Sequence, residues 1–447
     1  MKALLCHRLP FLTCSLCLIL LRPLPAADEQ TDDGPYLHVW VHYDYMVEAD
    51  HSDAPSPAAI RMVVDAFKRH GVILHIDPQH TPIPMHEVIV PDWPRQFGWN
   101  PGFDDPACTG PDAVRFSDLK AQYFQPSSNH PWHYAVFGEY VFTDSNRDAI
   151  NCPELSSSVS ERITAGMTGF SQVGFLDEYG GLGYNFVVAL KGIRIVEPVT
   201  DQHEAAIFMH ELGHNLGLCH GGPDLDFCAP NGAGADAKPN YLSVMNRNSD
   251  LIGIPYASAP GSTDIAGYRL DYSDVLLPDL DEARLDETVG IQDAAHPTDI
   301  SFADGSNAPV PAWGPFDWNQ DGSATDSGLA MDLNADSVIG VLHGADDWTW
   351  IHSRLTPPAI TEVRAFLGGP AHVGQAVVIE GVNLMMPASV TFAGGGVTVP
   401  AVLLRQWDTS PAMTLAAWVP EGARSGHITI VTREGTATSA EILTIVQ

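Results

Sequence analysis

Chemistry in this 447-residue chain can be built on His210, Glu211, His214 and His220. In the run His210-Glu211-Leu212-Gly213-His214 the two histidines are four positions apart, so on a helix both imidazoles leave one face and can hold one metal ion. Gly217 can take a positive φ at little steric cost, end the helix and turn the chain back, which would deliver His220 as a third nitrogen ligand. Three protein ligands with a fourth position left for water is the arrangement of a catalytic zinc, whereas a structural zinc is usually closed by four. Three histidines, a glutamate and a glycine at this spacing arise by chance on the order of once in 10⁴ in a chain of this composition, which sets incidental histidines aside. Such a site needs a helix to carry it. Asp201 can cap that helix, Glu204 sits three residues on as a capping box requires, and Phe208, Leu212 and Leu216 repeat every four residues.

With His220 and Gly217 included, the stretch resembles the H-E-x-x-H-x-x-G-x-x-H pattern of the metzincin zinc metalloproteases, which is followed by a methionine-containing turn. Asn240-Tyr241-Leu242-Ser243-Val244-Met245 matches that turn. The resemblance implies that Met245 packs beneath the metal without ligating it and that Glu211 is the general base and acid. Some metzincins carry a tyrosine two residues after the methionine; that position is Arg247 here, so the oxyanion would lean on zinc and on groups the motif does not name. The His220-Gly221-Gly222 step and the run from Pro239 to Asn246 are most similar to uncharacterised bacterial secreted metzincins.

The first 27 residues read as a secretory signal peptide, with Lys2 and Arg8, an apolar run from Leu9 to Leu21, and then Pro-Leu-Pro-Ala-Ala. The apolar run continues past Cys14 and Cys17, and neither sits in a lipobox, which disfavours a lipoprotein. No later stretch is long and apolar enough for a membrane span. The expected location is therefore outside the cytoplasm, in the periplasm or the medium. Residues 28–36 alone separate the signal from the first strand, so no sizeable pro-domain is expected. The net charge of −33, more negative once Lys2, Arg8 and Arg22 are removed, argues against nucleic acid or anionic lipid as partners and favours divalent cations. The cysteines left after cleavage are Cys108, Cys152, Cys219 and Cys228, an even number that predicts two disulfides in one of three pairings. Cys219 with Cys228 and Cys108 with Cys152 is the pairing expected; free buried thiols are the alternative.

Leu37, Val39, Val41, Tyr43 and Tyr45 alternate as a strand with one buried side. Ser56-Pro57 opens a helix whose Ile60, Val63, Val64 and Phe67 recur at helical spacing to Gly71, and Val72–Ile76 is a second strand. That order is a βαβ unit, and it resembles the opening of a metzincin catalytic domain. Strands are expected near Trp132–Phe142 and Tyr184–Leu190, and a helix near Ser156–Met167. His75, His80, His86, His130 and His133 fit no ligand spacing. Gly180, Gly181 and Gly183 open no helix, so a nucleotide loop is rejected.

Beyond Met245 regular periodicity is lost until about residue 356. Within this region Asp317, Asn319, Asp321 and Asp326 alternate with Gly322 at the sixth position, as a calcium loop requires, and Asp332, Asn334 and Asp336 repeat the alternation without the glycine. Neither has glutamate at the twelfth position, which excludes an EF-hand; solvated acidic turns are the alternative. From Pro357 short β-rich runs read as a sandwich: Ala376–Glu380, Ser389–Phe392, Val397–Leu404, Met413–Val419, His427–Thr432 and Glu441–Val446. Val378-Ile-Glu-Gly381, Val390-Thr-Phe-Ala-Gly394 and Gly426-His-Ile-Thr-Ile430 resemble an IPT/TIG immunoglobulin-like domain.

The expected architecture is an α+β metzincin-like catalytic domain, with a mixed twisted sheet and an active-site helix, over 28–356, followed by an all-β Ig-like sandwich over 357–447. The expected function is a secreted zinc endopeptidase acting on protein or peptide, with Zn²⁺ and Ca²⁺ bound and a surface or glycan contact through the sandwich. A calcium-dependent adhesion protein with an inert protease-like domain and a zinc hydrolase acting on a non-protein amide are the other readings.

Overall fold

β1 (Leu37–Val47) is the strand around which the first sheet forms. Ser56 caps α1 (Pro57–Arg69), its Oγ accepting the Ala59 N–H at 3.0 Å, and Pro57 occupies the first turn where no amide hydrogen is needed. The chain then returns as β2 (Val72–Ile76), parallel to β1, completing the βαβ unit. β3 (Pro82–Pro84) pairs with the far end of β1, and β4 (Val88–Val90), β5 (Ala113–Arg115) and β7 (Tyr140–Val141) form a small parallel sheet beside α2 (Phe116–Tyr123). β6 (His133–Gly138), β8 (Gly169–Ser171) and β9 (Asn185–Ala189) complete the main sheet in the order β2-β1-β6-β9-β8. All its neighbours run parallel except β8, which lies antiparallel to β9 at the edge.

The computed structural model describes residues 37–92, 113–141, 168–172, 184–223, 238–247, 249–257, 265–291, 299–300, 310–311, 315–334, 337–384, 388–394, 396–406, 412–432 and 435–446. The signal segment, the glycines at 180, 181 and 183, and the helix anticipated over 156–167 lie outside them. The strand anticipated near 132–142 is two strands, β6 and β7, belonging to different sheets.

β1 departs from the sequence expectation of one buried side. Val39, Val41 and Tyr43 do face the core with α1, but His42, Asp44 and Met46 on the opposite face are buried too. A central strand of a parallel sheet is covered on both faces, and Ile83, Phe116 and Tyr134 provide the second layer around Met46. His42 and Asp44 survive there by pairing: His42 Nδ1 lies 2.9 Å from Asp77 Oδ2, and Asp44 Oδ2 accepts the Tyr134 hydroxyl at 2.9 Å.

After α3 (Lys191–Val196) comes α4 (Asp201–Asn215), the helix that carries the histidines. Its cap is one residue earlier than anticipated. Thr200 Oγ1 accepts the His203 N–H and His203 Nδ1 accepts the Thr200 N–H, both at 3.2 Å, so the box is Thr200/His203 rather than Asp201/Glu204. Asp201 and Glu204 are drawn off by the neighbouring helix: Glu204 Oε2 accepts the Ser56 N–H at 2.7 Å and Asp201 Oδ1 accepts its hydroxyl at 2.6 Å. α4 is buried on nearly every side. Ile207, Phe208, Met209 and Leu212, at about 1.5–3 kcal/mol for each fully buried side chain, offset the desolvation of His210 and Glu211 on the same helix.

Among the described residues, the stretch from 254 to 342 contributes only short antiparallel pairs. α5 (Asp347–Leu355), capped by Asp346 Oδ1 on the Thr349 N–H at 2.9 Å, leads into a mostly antiparallel β region. Strands Ala359–Ala365, Ala376–Val382, Ala412–Trp418 and Val402–Gln406 form one four-stranded sheet, and Val397–Pro400, Ser389–Phe392, Thr429–Thr432 and Gly435–Thr438 form another. The run read as one strand over Val397–Leu404 divides at Ala401 between the two. Residues 37–447 form one compact unit, with a hydrophobic core continuous from α4 through Trp348 and Ile351 to Val363 and Phe392. Among the described residues no helix is long and apolar enough to cross a membrane.

Candidate metal centre

α4 ends as the spacing predicts. Gly217 takes φ +90°, its N–H bonds the His214 carbonyl at 3.0 Å, and the Leu218 N–H bonds the Gly213 carbonyl at 3.0 Å, the paired closure of a Schellman motif. Cys219 and Gly222 then exchange backbone hydrogen bonds at 2.9 and 3.1 Å, which puts His220 at the tip of a tight turn facing the helix. The ring nitrogens of His210, His214 and His220 come within 4.8 Å of one another. His210 Nδ1 donates to the Val244 carbonyl at 2.8 Å and His214 Nδ1 to the Leu218 carbonyl at 2.7 Å; a carbonyl can only accept, so each ring presents the lone pair of Nε2. Burial first, then the neighbouring histidines, holds His210 well below the usual histidine pKa; burial followed by the Arg247 charge does the same for His220. Unprotonated imidazoles are what a metal requires.

The floor of the centre is the Tyr241–Met245 turn. A methyl group built on Gly213 would lie 2.4 Å from the Met245 sulfur, so the thioether packs directly against the histidine helix. Asp347 and Lys238, which the motif did not reveal, hold this turn together with Asn246. The carboxylate of Asp347, at the start of α5, accepts the Tyr241 hydroxyl at 2.8 Å, the Ser243 hydroxyl at 2.6 Å and the Ser273 N–H at 3.1 Å. Lys238, itself buried, donates to the carbonyls of Gly221 and His343 at 2.6 Å each, tying the His220 turn to the chain before α5. Asn246 closes the loop on the Lys238 and Tyr241 carbonyls at 2.7 Å.

Glu211 is 5% exposed, and burial pushes its carboxyl up to about 8 against the opposing hydrogen bond from Ser171 and the charge of Arg247. The edge strand β8 is fastened to the same helix. Ser171 Oγ lies 2.6 Å from Glu211 Oε2, and Asn215 Nδ2 donates to the carbonyls of Gln172 and Asn185 at 2.8 and 3.1 Å. Arg247, half-exposed, stands 3.7 Å from Asp250.

No family model matches this sequence. No curated protein matches it either. Among solved structures, a protein of unknown function from Bacteroides thetaiotaomicron VPI-5482 is 12% identical over 20% of this chain and 22% of that chain, with a TM-score of 0.17. The chain thus spans about a fifth of that protein's length, and so partial a likeness carries no inference about fold or activity.

Cys219 is disulfide-bonded, which removes the free-thiol alternative for this residue. Cys108, Cys152 and Cys228 lie outside the described residues. In the first acidic loop Asp317 accepts the Asp321 and Gly322 amides at 3.1 and 2.7 Å, Asn319 Oδ1 accepts the Asp321 amide at 2.9 Å, and Asn319 Nδ2 donates to Asp326 at 3.3 Å. Beneath it Glu287, fully buried, accepts the Trp318 and Asp326 amides at 3.0 Å each. The second loop is built the same way: Asp332 accepts the Ser337 amide at 2.7 Å, and buried Glu282 accepts those of Leu333 and Gly340 at 2.6 and 2.9 Å. Asn334 is buried there, and Asp336 lies outside the described residues. The two glutamates come from a repeated Leu-Asp-Glu at 280–282 and 285–287, a signal that sequence reading passed over.

The other convergence of potential ligands among the described residues is His51, Asp53 and Glu139. Arg194 already lies 2.8 Å from Asp53 and 2.7 Å from Glu139, which makes this an ion-pair network rather than a cation seat.

Proposed function

We propose that this chain is a zinc-dependent endopeptidase of metzincin type. The observation that carries the proposal is the convergence of three imidazoles on and just after the helix that also carries the buried Glu211. The donor set fits zinc: all nitrogen, with two of the three tautomers held by backbone carbonyls. Zinc bound there supplies an acidified water and polarises a carbonyl. Glu211 takes the proton of the attacking water and hands it to the leaving amine. β8 ends the sheet among the described residues, and it is the strand to which an extended peptide would add. Selection for a peptide over another amide would come from that edge.

The segment from Pro357 reads as an IPT/TIG-like sandwich contacting protein or glycan, and the first 27 residues as a signal that exports the chain. The test is zinc analysis of the purified mature protein, paired with a peptide-library digest before and after chelation. One zinc per chain with chelator-sensitive cleavage is the expected result; zinc without cleavage of any peptide would redirect the reading to another amide.

Calcium as a second metal rests on the alternation of oxygen-bearing side chains in the two acidic loops, whose backbone Glu287 and Glu282 hold in place by accepting its amides. Calcium is then expected to raise the melting temperature and EGTA to lower it, with Asp317→Ala abolishing the difference. An identical melting curve with and without calcium would return these loops to solvated turns.

A further inference from the structure

β8 shapes a seat for a carboxylate. Alternate residues of a strand share a face, so Gly169 and Ser171 both turn toward α4 while Phe170 turns to the other core. A Cβ on Gly169 would lie 2.2 Å from Glu211 Oε1, so only the absence of a side chain leaves room for that oxygen. Two residues on, Ser171 Oγ lies 2.6 Å from Glu211 Oε2 and 2.7 Å from the Glu211 main-chain carbonyl. The carboxylate therefore lies along the edge strand, with one oxygen over the gap at Gly169 and the other on the hydroxyl of Ser171.

Resting on the endopeptidase reading, we propose that Ser171 is a positioning residue, and that it works with the space at Gly169 to hold the Glu211 carboxylate in one rotamer with Oε1 as the oxygen that meets the incoming proton. A glutamate side chain has three rotatable bonds, and a wandering carboxylate spends little time within hydrogen-bond reach of its partner. The hydroxyl removes that freedom at Oε2, and Ser171 is itself buried on a strand fixed by hydrogen bonds to β9. The same strand that would align a substrate thereby also aligns the base, which couples the two positions through one rigid element.

The test compares the parent with Ser171→Ala, each loaded with zinc, by calorimetric titration of acetohydroxamate, a chelator that binds a metal and gives its hydroxyl proton to an adjacent base. Ser171→Ala is expected to fold and keep one zinc, with a melting temperature lowered by a few degrees, while its acetohydroxamate affinity falls about 10-fold or more, the range for a hydrogen bond to a charged group. On a cleaved peptide kcat should fall by a similar factor with KM unchanged. Equal affinity in parent and variant overturns the proposal. If no peptide is cleaved by the parent, the endopeptidase reading fails, and the acetohydroxamate comparison still decides the role of Ser171. Should Ser171→Ala lose its zinc or its fold, Gly169→Ala fills the other half of the seat; it is expected to weaken acetohydroxamate by at least as much, and unchanged affinity there also overturns the proposal.

Discussion

Glu211→Gln is expected to lose turnover by about 10²–10⁴-fold, the contribution of a positioned proton-transfer group, while keeping its zinc. Glutamine has the same shape, so it can lie over Gly169 and accept the Ser171 hydroxyl through its amide oxygen, but it cannot take a proton. The three histidines are held by contacts that Glu211 does not make: the carbonyls of Val244 and Leu218, and the turn closed between Cys219 and Gly222. Metal content and chemistry should therefore separate. Elemental analysis alongside kcat on the best library peptide checks both. Turnover within tenfold of the parent, or loss of zinc from a folded variant, would show that Glu211 serves the metal rather than the proton.

Asp347→Ala should cost about 3 kcal/mol of stability or more, since each buried neutral donor left without its acceptor costs about 1–3 kcal/mol. The carboxylate is the single acceptor for the hydroxyls of Tyr241 and Ser243 and the amide of Ser273, so its loss leaves three buried donors near the Met245 turn without their partner. Ser243 also accepts the Met245 N–H at 3.1 Å, so the disturbance passes to the floor of the histidine centre. Burial raises the Asp347 carboxyl to about 6, overcoming its hydrogen bonds and the charge of Lys238. A folded pKa above the unfolded one means that the stabilisation from protonated Asp347 is full below about pH 4 and is lost as the pH rises through about 6. The gap in melting temperature between parent and variant should thus be widest in acid and narrow toward neutral pH. A gap that widens between pH 4 and 7 would contradict the raised pKa, and a small gap throughout would contradict the structural role.

The legible parts of the centre are those set by local geometry. His210 and His214 share a face because four residues make about one helical turn, and Gly217 reverses the chain because a glycine accepts φ +90°. Strand, helix, strand over residues 37–76 was legible for the same reason, since periodicity is written along the chain. The cap of α4 was misread by one residue although Thr200 and Asp201 are both good capping types. The choice between them was made by Ser56, which lies 145 positions from Asp201 and captures its carboxylate. The second buried face of β1 was likewise invisible, because His42 and Asp44 look solvent-facing until Asp77 and Tyr134 are brought against them.

By itself, then, the sequence located the three histidines that converge, the turn that delivers the third of them and the β-rich character of the C-terminal part, each through spacing within a few residues. Only the tertiary structure decided what holds them. Ser171 reaches Glu211 across 40 positions, Asp347 reaches Tyr241 across 106 and Lys238 reaches His343 across 105. Buried polar groups must find partners wherever packing brings them, and the pairings that result follow no period a sequence can display.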